Sequence, residues 1–255
     1  MIFDTHAHIL DENLECMREE ILADLEGMDG FCEVGYDYDS SMRAIKLAEQ
    51  NDKVWASIGT HPQDAEKLTD EHIAEYKRLS SHPKVVAIGE IGLDYYYEDP
   101  PREVQKVAFE KQLQMACEID LPICLHVRDS YQDTYELLSK YSDSLKGRIL
   151  LHCYSGSAEM IKQFDKFDCY YALGGVVTFK NAKKDEVIQA IKPDRLVLET
   201  DCPYMTPVPF RGKLNKPSYV LYVAEKIASV TKEGLQEVID RTTANAKRLY
   251  KKIEG

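Results

Sequence analysis

Short β-branched and apolar runs recur along the chain at near-regular intervals, and each is followed by a stretch with helical spacing of its apolar positions. The runs fall at 2–8, 31–36, 54–60, 85–91, 123–127, 148–154, 170–178 and 196–200. Between and after them, Thr134, Leu137, Leu138 and Tyr141, and likewise Val220, Val223, Ala224 and Ile227, follow the i, i+3, i+4, i+7 rule of an amphipathic helix. Val-Val-Ala-Ile (85–88) and Ile-Leu-Leu (149–151) are apolar on both faces, as strands of a parallel sheet covered by helices must be. Strict β–α alternation leaves a barrel or a doubly wound sheet. No glycine-rich phosphate fingerprint follows the first run, so the pattern predicts an α/β fold of the (β/α)8 TIM-barrel type. No linker-like composition shift divides the 255 residues. One domain over 1–255 is expected, with an extra C-terminal helix at 234–253 closing the barrel.

Composition narrows the function rather than the fold. With 44% hydrophobic residues and few glycines or prolines, the chain can bury a large core. Its seven cysteines are odd in number, scattered and without a C-x-x-C pair, which argues against a disulfide framework. The sequence shows no basic-then-apolar leader and no apolar run near ~18 residues. A cytoplasmic location, no membrane association and no obligate protein partner are therefore expected. The net charge of −12 excludes the broad basic surface that binds nucleic acid by counterion release. A polyanionic substrate would need a local site with its own positive charge, which metal ions supply.

The ionisable residues cluster where the predicted strands end. Asp4, His6 and His8 close the first, Thr60 and His61 the third, Glu90 the fourth, His126 the fifth, His152 the sixth, and Glu199 with Asp201 the eighth. In a barrel these ends share the C-terminal rim, where active sites are built. His6 and His8, two apart on a strand, face the same way and can share one cation. Glu90 stands between glycines in an apolar strand, where a carboxylate is costly unless paired or metal-bound, and its two oxygens can bridge two cations. A structural salt bridge is the alternative for it. Asp94 reads as a supporting or loop residue. His126 and His152 repeat one pattern at equivalent ends, which favours a second metal over two satisfied core histidines. Asp201 can ligate the first metal and accept a proton from attacking water. Imidazole and carboxylate without thiolate suit Zn²⁺, Mn²⁺, Fe²⁺ or Co²⁺, and tolerate Mg²⁺. Cys153 and Cys202 each follow a candidate ligand, so strand alternation predicts that both point away from it.

Phe-Asp-Thr-His-Ala-His, Ile-Gly-Thr-His-Pro, Ala-Ile-Gly-Glu-Ile-Gly-Leu-Asp-Tyr, Leu-His-Val-Arg, Leu-His-Cys-Tyr-Ser-Gly, Leu-Glu-Thr-Asp-Cys-Pro-Tyr and Phe-Arg-Gly-Lys-Leu-Asn-Lys-Pro occur in that order. Together they resemble the signatures of the TatD hydrolases, a branch of the amidohydrolase superfamily. The resemblance runs from Asp4 to Pro217, with a family-like Thr242–Ala246 beyond. It implies a metal-dependent DNase, 3′→5′ exonuclease in type, with two divalent cations (Zn, Mn or Mg). His6, His8 and Asp201 would hold one, His126 and His152 the other, and Glu90 would bridge. His61 would contact substrate phosphate or an additional ion. Gln63 and Leu214 stand where the family would lead one to expect His and Arg, which bears on phosphate contacts rather than on the metals.

The expected chemistry is in-line hydrolysis of a phosphodiester by a water shared between the cations, with Glu90 and Asp201 as the catalytic carboxylates. Arg211 and Lys213, with Lys216 nearby, follow the eighth strand and are candidates for phosphate contact, although a solvated face explains them too. Tyr95, followed by Tyr96 and Tyr97, is a candidate for base stacking, which core packing explains equally well. Two other readings compete: a metallohydrolase of a small phosphoester, amide or aminoacyl ester, and a non-catalytic barrel scaffold. Glu90, where related amidases carry a carbamylated lysine, speaks against the first, and the complete ligand set speaks against the second.

Overall fold

The computed structural model describes residues 1–254; Gly255, the last residue of the expected domain, lies outside the described residues. Eight parallel strands form one sheet in sequence order: β1 (Ile2–Ala7), β2 (Met28–Val34), β3 (Val54–Ile58), β4 (Val85–Asp94), β5 (Ile123–Arg128), β6 (Ile149–Leu151), β7 (Tyr170–Leu173) and β8 (Leu196–Leu198). The last strand meets the first through a bridge between Ala7 and Cys202, and the Asp201 amide donates to the His6 carbonyl at 2.9 Å. Buried Asp4 reinforces this seam by accepting hydrogen bonds from the Thr200 amide (2.9 Å) and hydroxyl (2.5 Å). The fold is the expected (β/α)8 barrel. No helix among the described residues is long and apolar enough to cross a membrane.

Every expected strand is present, and the differences lie at their ends. β4 runs on to Asp94. β7 stops at Leu173, and Gly175–Thr178 forms a 3-10 turn instead of more strand. The chain passes so close to the loop after β8 there that a Cβ on Gly175 would lie 1.9 Å from the Met205 carbonyl oxygen. Such a close approach is a third-dimensional fact that no apolar run announces.

The helices are α1 (Arg18–Ala23), α2 (Tyr38–Glu49), α3 (Asp70–Leu79), α4 (Arg102–Cys117), α5 (Tyr131–Lys140), α6 (Ser142–Leu145), α7 (Ala158–Phe164), α8 (Asp185–Ala190), α9 (Val220–Thr231) and α10 (Leu235–Leu249). Local chemistry starts several of them: Asp37 and Ser40 form a capping box on α2, and the Thr69 and Ser157 hydroxyls cap α3 and α7. The two segments with helical spacing lie on α5 and α9, and Leu137, Leu138, Val220, Val223, Ala224 and Ile227 bury as that spacing requires.

Two apolar layers result. The outer one joins the sheet to the helices, with Ile45, Ile88, Ile91, Phe109, Leu113 and Val223 among its members. The inner one fills the barrel with Val34, Val86, Cys124, Leu150, Ala172 and Val197, and is completed by Leu249 and Tyr250. The expected C-terminal helix therefore ends at Leu249, and the next residue is a plug. Tyr250 is fully buried, stands edge-on to Phe3 and donates its hydroxyl to the Thr5 carbonyl at 3.1 Å.

Candidate metal centre

Along the inner row of β5, Cys124 belongs to the apolar layer and His126, two residues on, stands at the rim. The same step separates Leu150 of β6 from His152 just past its end, and Val197 of β8 from Glu199 just past its end. Period-two alternation thus lifts each row from core into mouth without changing its face. β4 needs more. Ile88 pairs with Ile123 but Ile91 with Leu125, so β4 carries one extra residue there. This bulge lets Ile88 and Ile91 both join the outer layer while Glu90 turns into the mouth. Glycine is required on both sides of it: a Cβ on Gly89 would meet Cβ of Cys124 at 2.6 Å, and one on Gly92 the His126 carbonyl oxygen at 2.0 Å.

Glu90 is the centre of the group. Its Oε2 lies 3.5 Å from His6 Nε2 and 3.8 Å from His8 Nε2. Asp201 Oδ1 completes that side at 3.7 and 3.6 Å from the same two nitrogens. Its Oε1 faces the other way, 2.8 Å from both His126 Nδ1 and His152 Nε2, and 3.8 Å from His61 Nε2. The structure therefore brings together all six expected ligands, and His61 with them. Three sets of donors are each close enough for one ion: His6, His8 and Glu90; His6, His152 and Asp201; and His61, Glu90 and His126. In the last of these His61 stands where His152 was expected.

Partners behind the imidazoles fix their orientation. His8 Nδ1 lies 2.9 Å from the Val34 carbonyl, so it carries the proton and leaves Nε2 bare toward the centre. Asp94 Oδ2 lies 2.9 Å from His126 Nε2, and Glu199 Oε2 is 3.5 Å from His152 Nδ1. Buried Glu33 accepts the amides of Ile9 (2.8 Å) and Leu10 (3.0 Å), which holds the turn that follows His8, and burial pushes its carboxyl up to about 8. Glu199 is the residue the sequence reading left without a role. It lies two positions before Asp201, and its other oxygen accepts the Cys153 amide at 2.6 Å.

Charge in this group is unbalanced. Burial drives the pKa of His6 well down and that of His61 to about 3, so both stay neutral. Burial raises Asp201 to about 8. Burial opposes ionisation of Glu90 as well, but the imidazoles of His152, His61 and His126 outweigh it and hold the carboxyl well below its usual range. His152 is raised well above an ordinary histidine: the Glu90 and Glu199 carboxylates overcome its burial. His152 Nδ1 and Glu199 Oε2 are buried without a hydrogen-bond partner. Imidazole nitrogens converging on carboxylate oxygens, without thiolate, are the donor chemistry of a divalent cation such as zinc or manganese, and the residues fit that group.

The substrate-contact candidates divide. His61 lines the cavity of about 990 Å³ above the centre. Tyr95 does not: its hydroxyl donates to Asp133 at 2.6 Å and Arg102 stacks on its ring. Arg211 and Lys213 also lie off this cavity. Their loop folds back over the turn after β7, where the Val208 amide donates to the Thr178 hydroxyl, and the Arg211 guanidinium stacks on Phe179 at 3.8 Å. Lys216 is committed to Glu20 and Asp24. Instead Tyr36, Tyr96, Tyr97, Arg128, Lys184 and Tyr204 line the mouth. Arg128 could have been read from the sequence, since it stands two residues after His126 on the same strand face. The two cysteines also divide. Cys202 is buried as expected, but Cys153 lines the mouth beside Met205. β6 has already ended at Leu151, and the φ of +44° at Cys153 breaks the alternation on which the expectation rested.

A family model described as TatD related DNase matches residues 3–251. The chain is 46% identical over 254 residues to YabD of Bacillus subtilis, named an uncharacterized metal-dependent hydrolase, with 98% of this chain and 99% of that protein covered. It is 31% identical over 261 residues to a protein of Salmonella typhimurium named 3'-5' ssDNA/RNA exonuclease TatD, with 99% and 100% covered. Among solved structures, YjjV of Escherichia coli K12, a TatD homolog, superposes with a TM-score of 0.90 at 29% identity over 98% of each chain.

Proposed function

Since the chain belongs to the TatD family of metal-dependent hydrolases, we propose that it cleaves phosphodiester bonds in nucleic acid, DNA first, as an exonuclease working from the 3′ end. The observation that carries this reading is the two-sided coordination of Glu90, whose oxygens address two separate groups of donors. Two divalent cations would be held there, one by His6, His8 and Asp201 and one by His126 and His152, with Glu90 shared. Bound cations supply charge stabilisation at the phosphoryl oxygens and activation of water at neutral pH.

The chain's own residues do the rest. Asp201 accepts the proton that the attacking water gives up, its carboxylate reaching the mouth from the end of β8. His61 stands at the rim, held by the Gln63 amide on its Nδ1 (3.1 Å), with Nε2 turned inward toward substrate. Asp94 and the Val34 carbonyl keep the imidazole planes of His126 and His8 aimed, and the Glu199 carboxylate stands 3.5 Å behind His152, so little reorganisation remains when substrate arrives. The acidic surface leaves the charge of the centre as the main attraction for a polyanion.

The test is cleavage of 3′- and 5′-labelled single-stranded and duplex DNA by chelator-stripped protein, with Mg²⁺, Mn²⁺ or Zn²⁺ added back separately. Restored cleavage that is absent from Glu90→Ala, with a ladder shortening from the 3′ end, is the expected result. Metal-loaded wild-type protein that leaves every DNA intact would overturn the nuclease reading.

A further inference from the structure

The positive charge of the mouth and its exposed rings meet at the end of β5. Arg128 lies two residues beyond His126, so its side chain leaves the same face of the strand about 6–7 Å farther out, at ~3.3 Å per residue. Its guanidinium stacks on Tyr96 at 3.7 Å and lies 5.5 Å from the Tyr97 ring. These two rings are 59% and 47% exposed and meet edge to face. Apolar side chains of that size are normally withdrawn from water, and a pair left bare above a catalytic centre is a surface made for contact.

A stacked guanidinium uses its face and keeps its N–H edge for an acceptor. Among the described residues, no side chain or carbonyl takes that edge of Arg128. Lys184, the other cation lining the mouth, is committed by contrast: its ammonium donates to the carbonyls of Ser155 (2.6 Å) and Gly156 (3.1 Å). The mouth is otherwise rimmed by Asp11, Asp64, Asp94 and Asp129, which would repel a polyanion. The cavity, about 990 Å³, sits at the top of the ~300–1,000 Å³ range of small-ligand pockets and has room for more than the reacting phosphate.

We propose that Arg128, on its Tyr96–Tyr97 shelf, is a subsite for the backbone phosphate next to the one being cut, with the adjoining base laid on the tyrosine faces that Arg128 leaves free. The inference rests on the nucleic-acid reading above and deepens it. Two residues of strand separate His126 from Arg128, a distance of the order of the step between successive phosphates. One carboxylate keeps the two in register: Asp94 Oδ2 lies 2.9 Å from the His126 ring, and its Oδ1 accepts the Tyr96 amide at 3.0 Å. The strand pairing does the same, since Asp94 faces Arg128 across β4 and β5. Arg presents a bidentate fork to phosphate, and stacking on an aromatic ring holds that fork still before the ligand arrives.

The experiment compares wild type, Arg128→Ala, Arg128→Lys and Tyr96→Phe on two substrates. One is bis(4-nitrophenyl) phosphate, a lone phosphodiester, and the other is a short oligothymidylate. A parallel arm measures binding of fluorescein-labelled oligothymidylate in excess chelator, by anisotropy at several salt concentrations. The expected result is a loss of kcat/KM on oligothymidylate with Arg128→Ala that exceeds the loss on the single diester by about 10- to 100-fold, as removal of a charged hydrogen-bond partner implies. Arg128→Lys recovers part of it, and Tyr96→Phe keeps the shelf and stays close to wild type. In the binding arm Arg128→Ala weakens affinity and lowers the salt slope by about 0.7, one phosphate contact on a single strand. Equal losses on both substrates, or an unchanged salt slope, would overturn the subsite. Should metal-loaded wild type cleave neither substrate, the nuclease reading fails, and the chelator arm still decides whether Arg128 takes a backbone phosphate.

Discussion

The floor and the mouth of the barrel are built from the same rows, two residues apart along β5, β6 and β8 and four along the bulged β4, and they obey opposite rules. At the floor the inward rows carry Val86, Cys124, Leu150 and Val197, sealed from below by Leu249 and Tyr250. At the mouth the same rows carry Glu90, His152 and Glu199, which are buried, and His126, which is partly exposed. Burying imidazole and carboxylate groups opposes folding unless each is paired, whereas burying the floor favours it. The difference teaches that stability and chemistry are separated by height along the strands. The floor stabilises the arrangement that the mouth strains, and each region should break in its own way when altered.

The largest effect belongs to Glu90. Glu90→Gln keeps the size and bulge of the side chain but removes the charge shared between the two donor groups. Activity should fall by more than the ~10–100-fold that partners behind metal ligands command. Metal content, measured on dialysed protein by mass spectrometry, should fall from the proposed two ions per chain to one or none. Full activity in this variant would mean that the centre does not depend on a shared carboxylate.

At the floor, Tyr250→Ala removes a buried ring and opens the barrel from below. Large aromatic truncations in cores cost about 3–5 kcal/mol. The expected outcome is a large drop in thermal midpoint, with metal stoichiometry kept in whatever protein remains folded. Loss of metal at a temperature where circular dichroism still reports a folded barrel would show that floor and mouth are not separable.

How much of this was legible in the sequence follows from the same contrast. The strands, the barrel and the row of polar ends were readable because period-two alternation is local, and His6, His8, His126 and His152 stand at ends that alternation defines. What escaped depends on backbone that leaves the strand pattern. Arg211 and Lys213 lie off the central cavity because their loop folds back on Phe179 and Thr178, and loop direction has no periodicity to read. Tyr95 parts from Tyr96 and Tyr97 because β4 ends at Asp94 and all three tyrosines follow it, where strand alternation no longer sets side-chain direction. Cys153 turned inward on a positive φ that its residue type does not signal. Glu199 and Arg128 obey the two-residue rule, standing two positions from Asp201 and His126, but a side chain's role behind or beyond a ligand is set by the fold and not by that spacing.

An intermediate effect is expected at the outer partners. Glu199→Gln and Asp94→Asn leave the coordinating nitrogens in place but remove the charge behind His152 and His126. Metal affinity, from competition with a chromogenic chelator, should weaken by about 10–100-fold in each. The two losses should also be distinguishable. Asp94 additionally holds the Tyr96 amide, so Asp94→Asn should disturb oligonucleotide binding, while Glu199→Gln should not. Identical behaviour of the pair would argue that Asp94 does not couple the centre to the tyrosine shelf.

The smallest change asks whether the two regions communicate. Tyr250→Phe keeps the ring and removes a hydroxyl that links floor to mouth, the donor to the Thr5 carbonyl. Thr5 directly precedes His6, so any loosening there lies one residue from the centre. A single buried hydrogen bond is worth about 1 kcal/mol, more where the abandoned carbonyl finds no water, which in a barrel of this size lowers the midpoint by about 2–4 °C. If height along the strand separates the two functions, that is the whole effect, and metal affinity stays at the wild-type value. β1 is pinned to β8 independently by Asp4 and Thr200, which is why the separation should hold. A metal affinity that weakens along with the midpoint would instead make the floor part of the centre's support, with Tyr250 acting on His6 through Thr5.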